Sequence, residues 1–383
     1  MVRPTRASID LGALQQNFRA IADYLRREQE AAGASARAPG IIAVVKANAY
    51  GHGSARVGLA LEAAGAKMLA CADIEEGVAL RRAGVRAEIL VFGALSVSDL
   101  AGVFEAELTP TISSPSAGRA LQQAAAARGA RLRYHLKIDT GMNRLGFRHD
   151  NLRRTLPELL ASPNLELVGI YTHLGTADAP EDPLFGEQRE RFVRAMADVE
   201  GLGGRPQVRH AANSAALLRD SRLWLDLVRP GLLLYGIVPP PLATTLALQP
   251  VMTLTSRIVA VKGVRAGERV GYGGRWVPSE PAKVAIVPAG YADGLDARLE
   301  GHGVVLVRGR RVPIVGSVCM DMLTIDVTGL AVEPGDEVVI LGTQGREPMQ
   351  RLDAREMAAA IGTIPYEILC RIGSRIERVY TAE

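Results

Sequence analysis

The chain has 383 residues, 48% of them hydrophobic and 22% charged, which is enough for two or three globular domains around a large core. Its formal charge is +4 without a block of like charge, and aromatic residues make up only 4%, so a nucleic-acid surface is disfavoured while a small anionic ligand fits. Cys71, Cys319 and Cys370 lack disulfide or metal spacing, no apolar run reaches membrane-spanning length, and residues 1–10 lack a signal-peptide core; the expectation is a cytoplasmic protein that binds no nucleic acid, membrane or metal.

Residues 5–9 read as a short strand. Asp10 then reads as an N-cap ahead of Leu11, Leu14, Phe18, Ile21 and Leu25 at helical spacing. Residues 28–40 are small and polar and read as a loop. From Ile41 an alternation begins. Strand-like runs fall at 41–46, 67–72, 88–93, 108–112, 133–139, 167–173, 207–212 and 227–235, with helix-like stretches such as 54–64, 74–83, 114–128 and 185–200 between them. Eight strand–helix units predict a parallel (β/α)8 barrel, with an open doubly wound sheet as the alternative. No G-x-G-x-x-G follows the first strand, so a dinucleotide fold has no support. Past about residue 245 the texture changes. Short strands at 251–261, 284–287, 304–307, 323–327 and 338–341 are separated by turns such as Pro334-Gly335-Asp336, with one helical segment at 353–361. The predicted layout is a barrel over 1–244 followed by a mostly antiparallel β domain over 245–383.

Lys46 ends the first barrel strand, in GIIAVVKANAYGHG. Of 45 cationic residues only Lys46, Lys67, Lys137, Lys262 and Lys283 are lysines, so arginine carries the surface charge. A lysine kept at a strand end is a candidate for imine chemistry, which arginine cannot do. Snorkelling out of the strand mouth is the plain alternative.

If the barrel closes, strand C-termini converge on one mouth. That mouth would gather Lys137 and Arg144 from YHLKIDTGMNRLG, His173 from GIYTHLGTAD, His210, Asn213 and Ser214 from RHAANSAA, and Arg229 from LVRPGLLLYG. Taken singly, these read better as a satisfied buried histidine, a surface arginine or a helix cap; gathered together they read as a site. Ser214 opens a helix, which suits an anion. Gly231 permits close backbone approach, and Tyr50 and Tyr366 could add phenolic donors.

The stretch AVVKANAYGHG resembles the cofactor-lysine signature of the alanine racemases, barrel-type (fold type III) pyridoxal-phosphate enzymes, and the other motifs resemble that family along nearly the whole chain. The resemblance implies pyridoxal 5'-phosphate carried on Lys46. Tyr50, His173, Asn213, Ser214, Tyr366 and the backbone of Gly231 and Leu232 would surround it, and Arg229 would face the pyridine nitrogen. Arginine is not expected to give up a proton, so the ring would be a weaker electron sink than one facing a carboxylate.

The resemblance further implies two-base racemisation of L-alanine to D-alanine for peptidoglycan. Lys46 would serve one face of Cα and Tyr272, in ERVGYGGRW, the other. A chain would run from Tyr272 through His173 to Arg229, although by itself Tyr272 reads as a turn aromatic. Arg144 would contact the cofactor's phenolic oxygen and the substrate carboxylate, oriented by a carbamylated Lys137. Tyr291 in PAGYADG and Cys319-Met320-Asp321 in VGSVCMDML would reach the site of the second subunit in a homodimer, and the first few residues would join the β domain. A related amino-acid decarboxylase is one alternative; it requires a pocket acidic enough for a cationic side chain. A non-catalytic cofactor-carrying barrel is the other, and it leaves the β domain without a purpose.

Overall fold

An apolar run such as Ile41–Val45 has no water-facing alternation and is stable only where both faces are covered. In the computed structural model, which describes residues 4–33, 38–95 and 100–381, such runs form a closed ring. The first strand, β1 (Arg6–Asp10), stands outside it. The ring is built from β2 (Gly40–Val44), β3 (Met68–Cys71), β4 (Glu88–Val91), β5 (Thr109–Ile112) and β6 (Leu132–Asp139). A two-residue strand, β7 (Phe147–Arg148), hangs on β6, and the ring continues with β8 (Leu165–Tyr171), β9 (Val208–Asn213) and β10 (Leu227–Arg229). All eight ring strands pair in parallel; β5 joins β6, and β10 returns to β2. The barrel is therefore closed, and the open sheet is excluded.

The second half holds two sheets. One runs through β15 (Arg310–Pro313), β14 (Val304–Val307), β17 (Glu337–Gln344), β11 (Met252–Arg257), β1 and β19 (Glu377–Thr381), with β18 (Gln350–Leu352) on β17. The other is β12 (Ala260–Val264), β13 (Ala282–Val287) and β16 (Leu323–Asp326), all antiparallel. In the first sheet only β1 and β19 run parallel. Residues 6–10, counted with the barrel half in the predicted boundaries, thus lie between β11 and β19 of the β domain, as the resemblance implied.

Other differences are local. The helix capped by Asp10, whose side chain accepts from the Ala13 amide at 2.8 Å, runs to Ala31 and takes in the start of the predicted loop; residues 34–37 of that loop lie outside the described residues. The run 227–235 is a strand only to Arg229, because Pro230 has no amide to continue the ladder. A 3-10 turn, Leu232–Tyr235, follows.

Two buried polar side chains fasten the segment that follows β10. Asn17 donates to the carbonyls of Leu234 and Gln249 and accepts from the Gln249 amide. Tyr235 donates to the Val44 carbonyl at 3.0 Å, pinning the 3-10 turn to the end of β2. Removing either would leave buried carbonyls unpaired, at about 1–3 kcal/mol each. Among the described residues no helix is long and apolar enough to cross a membrane.

Candidate active site

The turn after β2 sets the site. Ala47, Asn48, Ala49 and Tyr50 all take positive φ, between 52° and 54°. A left-handed conformation costs an L-residue about 1–2 kcal/mol, so four in succession persist only because the surroundings impose them. The turn brings Lys46 and Tyr50 into the wall of one cavity of about 490 Å³ at the C-terminal end of the barrel. Lys137, Arg144, His173, Asn213, Ser214, Arg229, Gly231 and Tyr366 line the same cavity. The convergence expected of the strand ends is observed for these residues, whereas His210, also expected at the mouth, does not line the cavity.

Lys46 is half-buried and its amine has no hydrogen-bond or ion-pair partner among the described residues. Burial first, then the cations Arg144 and Arg229, push its pKa down. A larger neutral fraction makes the amine a better nucleophile.

Arg229 is 3% exposed, and every acceptor it has is a neutral group. It donates to the carbonyls of Thr172 (2.8 Å) and Ala211 (2.9 Å) and to Nδ1 of His210 (2.9 Å). Because arginine can only donate, His210 carries its proton on Nε2, which donates in turn to Nδ1 of His135 at 2.9 Å. Burial and the Arg229 charge hold His210 well below the ordinary histidine range, and burial lowers His135 to about 3. Both imidazoles are therefore neutral. Desolvation also lowers Arg229 to about 10, and it remains cationic at neutral pH. The His210 ring stacks on Tyr171 at 4.7 Å. Gly169 leaves room for His135, since a Cβ there would sit 2.6 Å from the imidazole.

Sequence reasoning put His210 at the mouth and gave it no role. The structure supplies the missing register: β9 and β10 pair with Leu227 opposite His210 and Arg229 opposite Asn213, which puts His210 and Arg229 on neighbouring strands.

Lys137 is buried with its ammonium 5.6 Å from the Tyr171 ring centre. Burial and the cations Arg144, Arg229 and Lys46 bring it down to about 8. Arg144 is exposed at the cavity rim.

The anion-suited corner is built on one contact. Ser214 Oγ accepts the Gly231 amide at 2.9 Å, so the amide expected to reach a ligand meets the serine instead. A Cβ on Gly231 would lie 2.3 Å from the Tyr50 hydroxyl, and glycine alone lets that phenol enter. The Tyr366 ring lies 5.8 Å from Tyr50. Asn213 spends its side-chain oxygen on the Ala216 amide as a helix cap, and Leu232 is fully buried behind the wall.

The expected chain from Tyr272 through His173 to Arg229 is not formed within this chain. Arg229 bonds His210 instead, and His173 lines the cavity with its carbonyl accepting from Gln188. Tyr272 sits on the β domain, 77% exposed. Tyr291 (48%) and Met320 (53%) are exposed on the same domain. Backbone bonds tie these loops together: Ser317 Oγ donates to the Tyr272 carbonyl, the Tyr291 amide to the Cys319 carbonyl and the Ala292 amide to the Met320 carbonyl. Asp321 is engaged by Arg375 at 2.6 Å. None of Tyr272, Tyr291, Cys319, Met320 or Asp321 lines the cavity of its own chain.

Comparison with known proteins places both halves of the chain in one family. Residues 9–239 match the family profile described as "Alanine racemase, N-terminal domain", and residues 251–380 the one described as "Alanine racemase, C-terminal domain". The chain is similar to the alanine racemase of Symbiobacterium thermophilum, 40% identical over 100% of this chain and 98% of the relative. It is 41% identical to that of Carboxydothermus hydrogenoformans, over 99% of this chain and 100% of the relative. Among solved structures, the alanine racemase of D-cycloserine-producing Streptomyces lavendulae superposes with a TM-score of 0.92 at 35% identity, covering 100% of this chain and 98% of that one.

Proposed function

Since this chain belongs to the alanine racemase family, we propose that it interconverts L- and D-alanine with pyridoxal 5'-phosphate carried on Lys46, in a homodimer whose sites are shared between copies. The observation that carries the reading is Lys46: an unpartnered, half-buried amine with a lowered pKa in the wall of a 490 Å³ cavity. That volume suits a cofactor with a small substrate. The donor set also fits the group. The Tyr50 hydroxyl, let in by Gly231, and the Ser214 hydroxyl at the cavity wall suit a phosphate, and Arg229 offers a fixed donor to a ring nitrogen.

When bound, the cofactor supplies an electron sink for the bond between Cα and its hydrogen. Everything else falls to this chain. Lys46 takes or returns a proton on one face of Cα. Tyr272 of a second copy serves the other face, and its exposure leaves it available to a neighbour. Arg229, held by His210 and two carbonyls, keeps its proton and so tempers the sink. Arg144 at the rim would bind the substrate carboxylate, and Met320 and Tyr291 of the second copy would leave room for only a small side chain. Lys137, with a substantial neutral fraction, is a candidate for carbamylation, which would turn a cation repelling Arg144 into an anion that orients it. The product would feed peptidoglycan synthesis in the cytoplasm; all three thiols are free, as in a reducing compartment.

The test is to supply L-alanine to the purified protein loaded with pyridoxal phosphate and to follow D-alanine with a D-amino-acid oxidase couple. Decarboxylation without D-alanine, or no turnover at all, would overturn the reading.

A further inference from the structure

The left-handed turn from Ala47 to Tyr50 is tied by local backbone bonds, the Ala49 carbonyl among them accepting the His52 amide at 3.0 Å, and two side chains outside it bond its amides and carbonyls as well. On the amide side, Glu76 Oε1 accepts from Ala47 (2.6 Å) and Asn48 (3.4 Å), while its Oε2 accepts from Ala72 at the end of β3 (2.8 Å). Glu76 is itself fixed, because its amide donates to the Asp73 cap of its helix. On the carbonyl side, His52 Nδ1 lies 3.0 Å from the Ala49 oxygen and 2.9 Å from the Tyr50 oxygen. Two carbonyls can only accept, so the His52 proton is on Nδ1. Its ring is fully buried and stacked on Tyr235 at 4.5 Å, and Tyr235 is pinned to Val44. The two clamps therefore bracket Lys46 and Tyr50, one from β3 and its helix, the other from the 3-10 turn after β10.

We propose that Glu76 and His52 are positioning residues: together they impose the left-handed turn that presents the Lys46 amine and the Tyr50 hydroxyl to one cavity. The assignment rests on the reading of Lys46 as the cofactor lysine. Neither residue lines the cavity, so both act through the backbone. A right-handed turn at the end of β2 would place the amine and the phenol elsewhere, because the side-chain direction follows the hand of the backbone.

The experiment measures amide exchange by mass spectrometry on the holoenzyme, over the peptide spanning Val44 to Gly53, beside kcat and KM for L-alanine. Glu76→Ala and His52→Leu are expected to speed exchange in this peptide roughly ten- to a hundredfold, with peptides of β17 unchanged. They are expected to lower kcat far more than they raise KM. His52→Asn keeps a donor near the Nδ1 position and is expected to restore both readouts. Should the first two variants not fold, Glu76→Gln decides: it keeps an acceptor for Ala47 but turns an N–H toward the Ala72 amide, and faster exchange confined to this peptide supports the clamp. Unchanged exchange in these variants, or His52→Asn no better than His52→Leu, overturns it. If the wild type holds pyridoxal phosphate on Lys46 yet does not racemise alanine, the substrate reading fails while the exchange data still judge the clamp.

Discussion

The barrel mouth and the loop cluster of the β domain are built on opposite principles. At the mouth the Arg229 charge is buried and bonded to three acceptors, and side chains bond the left-handed turn from two sides. On the β domain, Tyr272, Tyr291 and Met320 stand largely in solvent with their backbones fixed and their side chains uncovered. A rigid loop presenting exposed aromatic and thioether side chains is what an interface looks like before its partner arrives. The contrast fits the proposed reading, in which the cavity of one copy would be completed by the loop cluster of another.

The largest effect should come from the mouth. Lys46→Ala is expected to abolish the visible absorption of carried cofactor and to cut racemisation by at least about 10⁴-fold, since it removes both the attachment point and one base. A cofactor band that survives dialysis in this variant would move the attachment to another lysine.

Next comes the β domain. Tyr272→Phe is expected to lose roughly 10²–10⁴-fold. A mixture of Lys46→Ala and Tyr272→Phe chains, after subunit exchange, should recover about a quarter of the sites, because random pairing gives about half mixed dimers and each mixed dimer holds one intact site. No recovery, with exchange confirmed by native mass spectrometry, would erase the distinction between the two regions.

A smaller effect is expected deeper in the mouth. His210→Leu removes one acceptor from Arg229 and should lower kcat by about ten- to a hundredfold with the cofactor still bound. Unchanged kcat would mean that the two carbonyls suffice to place the guanidinium.

The smallest effect concerns Lys137. Its folded pKa, about 8, lies below the value of 10.5 for a free lysine, so the unfolded chain binds more protons in that interval and stability rises with pH across it. In bicarbonate-free buffer Lys137→Met is expected to raise Tm by a few degrees at pH 7 and to lose that advantage as pH climbs from about 8 toward 10.5. A benefit that grows with pH would refute the buried-amine picture. Bicarbonate should stabilise wild type alone if the neutral amine takes up carbon dioxide.

The barrel was legible because its strands are apolar runs at regular intervals, and such a pattern survives without knowledge of contacts. The β domain was legible only in outline. The run 251–261 reads as one strand, yet it divides between two sheets as β11 and β12, and β15, β18 and β19 carry too many arginines and polar residues to stand out. Residues such as Lys46 and Arg229 could be found because their chemistry is odd for a strand end. The His135–His210–Arg229 ladder could not, because its bonds depend on register and on which nitrogen holds a proton. Glu76 was invisible for another reason: on a helix it reads as an ordinary first-turn acid, and only the position of the Ala47 amide gives it work.

The place of β1 has a consequence for synthesis on the ribosome. Arg6 lies against both Thr255 and Glu377, so β1 is made before the barrel strands while both of its neighbours are made after them. The barrel strands can close while β1 still waits without either partner. The nascent chain thus passes through a period with β1 unpaired on both edges, where a strand from another chain could pair in its stead.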